Sequence, residues 1–255
     1  MVQNHMMQLL SLVGMEPPIS LKADDIHSEK VKVIESLRPF SEQDLTESVV
    51  RGQYDAGFIN GEAVKAYREE NNVSPTSSVP TYCALKLHID NWRWAGVPFY
   101  LRAGKRLPKR ATEIAITFKD APGFLFAPMG KQVEPNVLVI RIQPDEGISL
   151  KINCKVPGMT TPIQPVKMDF RYGSYFGAAP PEAYERLICD CMAGDNTLFA
   201  RIDELIASWK LFTPILDHWK SRGNADVDRY DAGSWGPSQA EKLLEDNHYH
   251  QWRLI

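Results

Sequence analysis

The feature that most constrains this fold is a run of six segments, between residues 81 and 172, in which side chains of different polarity alternate. In the first segment, TYCALKLHID, the residues Cys83, Leu85, Leu87 and Ile89 occupy every second position. A period of two residues predicts a β-strand, because successive side chains of a strand point to opposite faces. The other five segments are VPFYLRA, TEIAITF, NVLVIRI, ISLKINC and VKMDFRY.

No clear helical pattern separates these segments, which favours antiparallel pairing. Parallel strands need crossover connections of about a dozen or more residues, whereas antiparallel strands can be joined by short turns. Helical spacing precedes and follows the strands. The sequence therefore predicts an α+β fold with a large, mostly antiparallel β-sheet and helices packed on one face. We expect a helical part over 1–70, the sheet over 81–175, and C-terminal helices with an irregular tail over 180–255.

Composition excludes several classes of protein. The net charge of −3 indicates no basic field for nucleic acid or a membrane surface. No apolar run approaches the roughly 18 residues needed to span a bilayer, and no signal peptide is evident. We therefore predict a soluble cytoplasmic protein. Cys189 and Cys191 would point about 200° apart on a helix, which argues against a metal site. We expect buried thiols at all four cysteines, Cys83, Cys154, Cys189 and Cys191.

The densest cluster of charge is the segment RAGKRLPKR at 102–110. Glycine allows a backbone to approach a ligand closely, and clustered lysine and arginine suit a phosphate group. The segment could therefore bind an anion, or it could be a basic turn exposed to solvent. The residues alone leave both interpretations open.

His5 raises a similar question, since it lies in the predicted N-terminal helix within MVQNHMMQLL. A histidine can act as a general base when a carboxylate orients its ring. However, no acidic residue occurs before Glu16, so nothing local would hold the imidazole, and a surface or core role remains open.

Two further groups are weaker candidates. The string RGQY, from Arg51 to Tyr54, could form a polar turn or a ligand contact. Arg141 and Gln143 flank Ile142 on one predicted sheet face and could meet either ligand or solvent. The sequence contains no glycine-rich fingerprint after a strand, so we expect no dinucleotide site within this chain.

Several strings together resemble the C-terminal part of glucose-6-phosphate dehydrogenases. In order, they are MVQNHMMQLL, EKVKV, RGQY, DNWRWAGVPFYLRAGKRLPKR, IRIQPDEG, KVPGM, AYERLICDCMAGD and AGSWGP. The resemblance extends from Met1 to about Gly236. It implies a subunit built on an extended antiparallel sheet that also forms the dimer contact. It also implies a separate coenzyme domain of the Rossmann type, which these 255 residues do not match.

The resemblance also implies site residues. The family oxidises glucose 6-phosphate to 6-phosphoglucono-δ-lactone and passes a hydride to NADP. By resemblance, His5 is the general base that takes the proton of the sugar C1 hydroxyl. Lys105 and Arg110 are substrate ligands, and Gln143 lies near the substrate pocket.

Other family features are not matched. Family residues that contact the sugar, or that orient the catalytic histidine, precede the position of Met1. We therefore expect a fragment or an internally started reading frame with essentially no dehydrogenase activity alone. Arg141 and Lys151 match residues that hold a second, structural NADP in some members. Other positions depart from that pattern and argue against such a site: Ala111, Ala115, Ser149 and Trp235.

Two other hypotheses follow from the same residues. The chain could be a non-catalytic interaction module that pairs through its sheet with full-length dehydrogenase subunits. In either case we expect a homo-oligomer, a dimer or a tetramer, that forms through the β-sheet. The chain could also be a sugar-phosphate-binding protein that uses Lys105 and Arg110.

Overall fold

The computed structural model describes residues 1–120, 134–158, 163–177, 183–244 and 252–255. The chain forms two compact units. The first contains Met1–Pro108 and Glu182–Asp246, and the second contains Lys109–Pro181 and Asn247–Ile255. None of the described helices is long and apolar enough to cross a membrane.

Helices and strands are numbered here in chain order. The helices are α1 (Met7–Gly14), α2 (Ala23–Glu35), α3 (Asp44–Glu47), α4 (Tyr172–Phe176), α5 (Ala183–Ala193), α6 (Ile202–Arg222) and α7 (Gln239–Lys242). The strands are β1 (Val49–Asp55), β2 (Gly57–Ile59), β3 (Glu62–Val64), β4 (Tyr82–His88), β5 (Pro98–Gly104), β6 (Thr112–Thr117), β7 (Val137–Gln143), β8 (Gly147–Lys155), β9 (Ile163–Arg171) and β10 (Asp228–Asp231).

The first unit contains a four-stranded sheet with the order β10-β1-β4-β5. β4 pairs antiparallel with both β1 and β5, while β10 pairs parallel with β1. β2 and β3 form a separate antiparallel hairpin. The parallel pair joins strands that are distant in the sequence, with Tyr54 opposite Tyr230.

One face of this sheet packs against helices. Cys83, Leu85 and Leu87 of β4 are buried in a core cluster to which α1, α2 and α6 contribute. Phe212 and Ile215 are the most deeply buried apolar residues of α6, with 3% and 1% of their surfaces exposed. Burial of these apolar side chains is the main favourable term that holds the helices on the sheet.

The second unit contains a four-stranded antiparallel sheet with the order β6-β7-β8-β9. Its register aligns apolar residues of all four strands on one face: Ile114, Ile116, Leu138, Ile140, Ile148, Leu150, Ile152, Val166, Met168 and Phe170. The opposite face carries charged residues, among them Arg141, whose Nη2 lies 2.8 Å from Asp169 Oδ1.

The predicted α+β class is confirmed, and each of the six alternating segments contains a strand. They form two sheets, since β4 and β5 pair in the first unit and β6 to β9 in the second. The interpretation of RGQY as a turn was wrong, because these residues lie within β1, and Arg51 and Gln53 are buried. The prediction of buried thiols is confirmed for Cys83, whereas Cys154 is partly buried. It was wrong for Cys189 and Cys191, which are exposed on α5.

Candidate functional site

His5 lies in a single π-helical turn, Val2–Met6, that leads directly into α1. Its side chain is exposed, and it forms no hydrogen bond or ion pair with another described residue. The following turn is anchored, because Met7 and Leu10 are buried in the core of the first unit. The backbone that carries the imidazole is therefore attached to the core, while the ring is open to a ligand.

A buried polar cluster also holds this helix in place. Gln8, three residues after His5, donates from Nε2 to Glu204 Oε2 of α6 at 2.9 Å. Glu204 Oε1 lies 2.6 Å from His27 Nδ1, and its Oε2 lies 3.0 Å from Lys30 Nζ. The three charged or titratable side chains are almost fully buried. The cluster therefore joins α1, α2 and α6 beneath the turn that carries His5.

The basic segment, 102–110, begins within the last residues of β5 and continues as a turn after Gly104. The backbone N–H of Lys105 donates to the Thr81 carbonyl at 2.8 Å, and the Lys105 carbonyl accepts from the Tyr230 hydroxyl at 2.8 Å. Arg106 follows with a φ of 54°, and its carbonyl accepts from the backbone N–H of Gly233. The main chain of the turn is thus fixed on both sides of Lys105, although the Lys105 side chain is exposed.

The neighbouring basic side chains are already engaged. The Arg102 guanidinium lies over the Trp235 ring, 5.2 Å from its centroid. Arg106 Nη2 donates to Glu70 Oε1 at 3.1 Å. Lys105, in contrast, has no side-chain partner among the described residues. Its ammonium group is therefore available to bind an anion.

A glycine is required at the end of β5 because of a tyrosine beneath it. A Cβ added at Gly104 would lie 2.7 Å from Cδ2 of Tyr82, whose ring fills the space beside the strand. Tyr82 in turn contacts Tyr230, with 5.5 Å between ring centroids. The basic turn therefore rests on an aromatic layer, on the sheet face opposite the helices.

Arg110 and Gln143, the other predicted substrate residues, belong to the second unit. Arg110 is exposed just before β6. Gln143 ends β7, and its Nε2 donates to Thr112 Oγ1 at 2.9 Å. His5 and Lys105 both belong to the first unit, but they lie in different layers and no described contact joins them.

Sequence reasoning missed the residues that support the site. Tyr230, Glu70 and Glu204 each act through a partner distant in the chain, for example across 125 residues for Tyr230 and Lys105. No local spacing in the sequence indicates such a contact. The string AGSWGP, which follows Tyr230 closely in the sequence, was part of the resemblance but did not indicate this partner. Within the described part of the chain, no group of three or more metal-ligating side chains is assembled.

Comparison with known proteins assigns the family. The family model described as glucose-6-phosphate dehydrogenase, C-terminal domain, matches residues 1–253. The chain belongs to the glucose-6-phosphate dehydrogenase family. The predicted resemblance is thereby confirmed.

Relatives within this family are similar along almost the whole chain. Glucose-6-phosphate 1-dehydrogenase from Chlamydia pneumoniae is 56% identical over 248 residues, which cover 96% of this chain and 48% of the relative. The crystal structure of the Mycobacterium avium enzyme is 37% identical, with a TM-score of 0.81, and covers 100% of this chain and 50% of that one. A structure of a glucose-6-phosphate dehydrogenase in complex with glucose 6-phosphate is 36% identical, with a TM-score of 0.86. The match covers 99% of this chain and 50% of that one. The chain therefore spans about half the length of the relatives it matches.

Proposed function

We propose that the chain provides the sugar-phosphate-binding and general-base part of an NADP-dependent glucose-6-phosphate dehydrogenase. The substrate would be D-glucose 6-phosphate and the product 6-phospho-D-glucono-1,5-lactone. The observation that carries this proposal is the basic turn after β5. There, the backbone of Lys105 is held by Thr81 and Tyr230 while its ammonium group has no partner among the described residues. A fixed backbone with an available cation is what recognition of an anionic substrate needs.

His5 is the proposed general base. Oxidation at C1 of the sugar removes a hydride from carbon and a proton from the C1 hydroxyl. A ring nitrogen of a neutral imidazole carries a lone pair that can accept this proton while the hydride leaves C1. The exposed ring on an anchored helix supports this role, since the base must reach the substrate from a fixed position.

The described residues do not fit the dinucleotide itself. The chain contains no two glycines separated by one residue. The parallel pair found among the described strands, β1 with β10, is not a strand–helix–strand unit, because β4 and β5 lie between them in the sequence. When NADP is bound, it accepts the hydride. The steps proposed for this chain are confined to sugar binding and proton removal.

We also propose that this chain holds no structural NADP. The two basic groups that match such a site are each paired with a carboxylate. Arg141 bonds Asp169 at 2.8 Å, and Lys151 Nζ lies 2.9 Å from Glu134 Oε2. Arg110 and Gln143 remain proposed substrate residues of the second unit.

Calorimetric titration with glucose 6-phosphate tests the proposed binding site. We expect Lys105→Ala to weaken binding about tenfold or more, since hydrogen bonds to charged groups contribute about 1.5–3 kcal/mol. Lys65→Ala is the matched control, because it removes an exposed lysine outside the basic turn and changes the net charge equally. Glucose without phosphate should bind equally to all three proteins. Equal affinity of wild type and Lys105→Ala for glucose 6-phosphate would contradict the proposal.

We further propose that the chain forms homo-oligomers through the sheet of the second unit. The apolar face of that sheet supports this, because Ile148, Val166 and Met168 expose 42%, 46% and 50% of their surfaces on it. Contiguous exposed apolar surface of this kind is typical of subunit interfaces.

A further inference from the structure

We propose that Tyr230 is a positioning residue for Lys105, whose hydroxyl bond to the Lys105 carbonyl aims the ammonium group at a sugar phosphate. The inference rests on the proposed substrate role of Lys105. It gives a functional role to β10, a short edge strand that is distant from the basic turn in the sequence.

The hydrogen-bond geometry identifies the acceptor. The Tyr230 hydroxyl lies 2.8 Å from the Lys105 carbonyl oxygen and 3.4 Å from the Thr81 carbonyl oxygen. A hydroxyl has one proton to donate, and the shorter contact is near the ideal length for such a bond. The Thr81 hydroxyl, at 3.1 Å, can then donate to the phenol oxygen.

This bond completes a clamp on Lys105. Its N–H is held by Thr81 and its carbonyl by Tyr230, so both of its peptide groups are tied to the first unit. Arg106 adds a left-handed φ of 54°, which turns the chain sharply immediately after Lys105. Without the Tyr230 bond, the Lys105 carbonyl loses the partner that faces it across the turn.

The surroundings of Tyr230 keep its hydroxyl protonated, so that it remains a hydrogen-bond donor. Its ring packs at 5.5 Å from the Tyr82 ring and 6.4 Å from the Tyr54 ring, and 4% of the residue is exposed. Burial raises the pKa of Tyr230 to about 12. The phenol therefore keeps its proton at neutral and moderately alkaline pH, and its hydroxyl stays a donor to the Lys105 carbonyl there.

Positioning matters here because a lysine side chain is flexible. Binding must restrict several rotatable bonds of Lys105, and a mobile backbone would add to that entropic cost. We expect loss of one neutral hydrogen bond at the turn to weaken binding of glucose 6-phosphate about fivefold.

A double-mutant cycle with Tyr230→Phe and Lys105→Ala tests the inference, with affinity for glucose 6-phosphate as the measurement. Tyr230→Phe keeps the aromatic ring and removes the hydroxyl. It should weaken binding about fivefold in the wild type and have no effect in the Lys105→Ala background. Tyr67→Phe is the matched control, because its ring packs on Tyr54 in the same layer and its hydroxyl has no hydrogen-bond partner among the described residues.

The possible results separate the two proposals. If Lys105→Ala weakens binding and Tyr230→Phe does not, the inference fails and the substrate role of Lys105 stands. Equal losses from Tyr230→Phe in both backgrounds would also overturn the inference, since a general structural effect does not act through Lys105. If Lys105→Ala binds as wild type does, or wild type does not bind, the proposed function fails, and the inference fails with it.

Discussion

Glu204 is a fully buried carboxylate that joins three helices of the first unit. Burying a charged group is costly unless partners replace its hydration. Here Gln8, His27 and Lys30 provide those partners from α1 and α2. His27 is held further by a 3.1 Å contact from Nε2 to the Asn196 carbonyl oxygen. The cluster therefore fixes the helix that begins just after His5.

Replacing this carboxylate should destabilise the protein strongly. Glu204→Gln leaves the Lys30 ammonium buried without a counter-charge, which typically costs about 3–5 kcal/mol in the free energy of unfolding. Urea denaturation followed by circular dichroism would measure the change. Glu42→Gln, at an exposed position, should shift the free energy by less than about 0.5 kcal/mol. Equal stability of the two variants would contradict the structural role of Glu204.

The same cluster predicts a dependence on pH. Burial tends to raise the pKa of Glu204, but hydrogen bonds from Gln8, Lys30 and His27 outweigh it and hold the pKa below 4.5. The unfolded protein therefore binds the proton more readily than the native protein does. The stabilisation is complete above the ordinary pKa and is lost as the pH falls through the native value. The difference in stability between wild type and Glu204→Gln should consequently shrink below pH 4.5.

Residues with local signatures could be predicted, and those with distant partners could not. His5 and Lys105 stand within recognisable strings, so the sequence alone identified them as candidates. Glu204 meets His27 across 177 positions, and Tyr230 meets Lys105 across 125. Such contacts depend on how the elements pack, which a single sequence does not specify.

At the scale of elements, the strands that were predicted are those with a clear alternation. β4 to β9 alternate because their two faces have different surroundings. β1 was misread because it is buried on both faces, so Val49, Arg51, Gly52, Gln53 and Tyr54 show no alternation. Its polar residues are satisfied internally. For example, Gln53 Nε2 donates to the carbonyls of Ser77 and Val79 at 2.8 Å.

The two faces of β9 also differ in polarity. This difference leads to a prediction about how copies of the chain associate. Met168 lies on the apolar face and Lys167 on the charged face of the second sheet. If subunits pair through the apolar face, Met168→Gln should weaken association, since it places an amide in the interface. We expect at least a tenfold rise in the dissociation constant, measured by sedimentation equilibrium.

Lys167→Gln is the control for this experiment, because it introduces the same side chain one residue away on the other face. It should leave association within about twofold of wild type, as expected for substitutions outside an interface. Equal effects of the two substitutions, or a monomeric wild type at all concentrations, would contradict pairing through this face.

At the scale of the whole molecule, each of the two units contains residues proposed for substrate binding or proton removal. His5 and Lys105 belong to the first, and Arg110 and Gln143 to the second. The family assignment rests on a match over 1–253, whereas the relatives are about twice as long as this chain. We propose that these residues bind the sugar phosphate and remove the proton, and that coenzyme binding requires residues other than those of this chain.

A chimaeric enzyme tests this division most directly. The N-terminal half of the Chlamydia pneumoniae relative, joined in front of this chain, should reduce NADP with glucose 6-phosphate, while this chain alone should not. His5→Ala in the chimaera should lower kcat by about 10²–10⁴-fold, as expected for loss of a general base, and leave the affinity for glucose 6-phosphate nearly unchanged. We therefore predict that the steady-state rate of NADP reduction depends on His5 in this manner. A His5→Ala chimaera as active as its parent would contradict it.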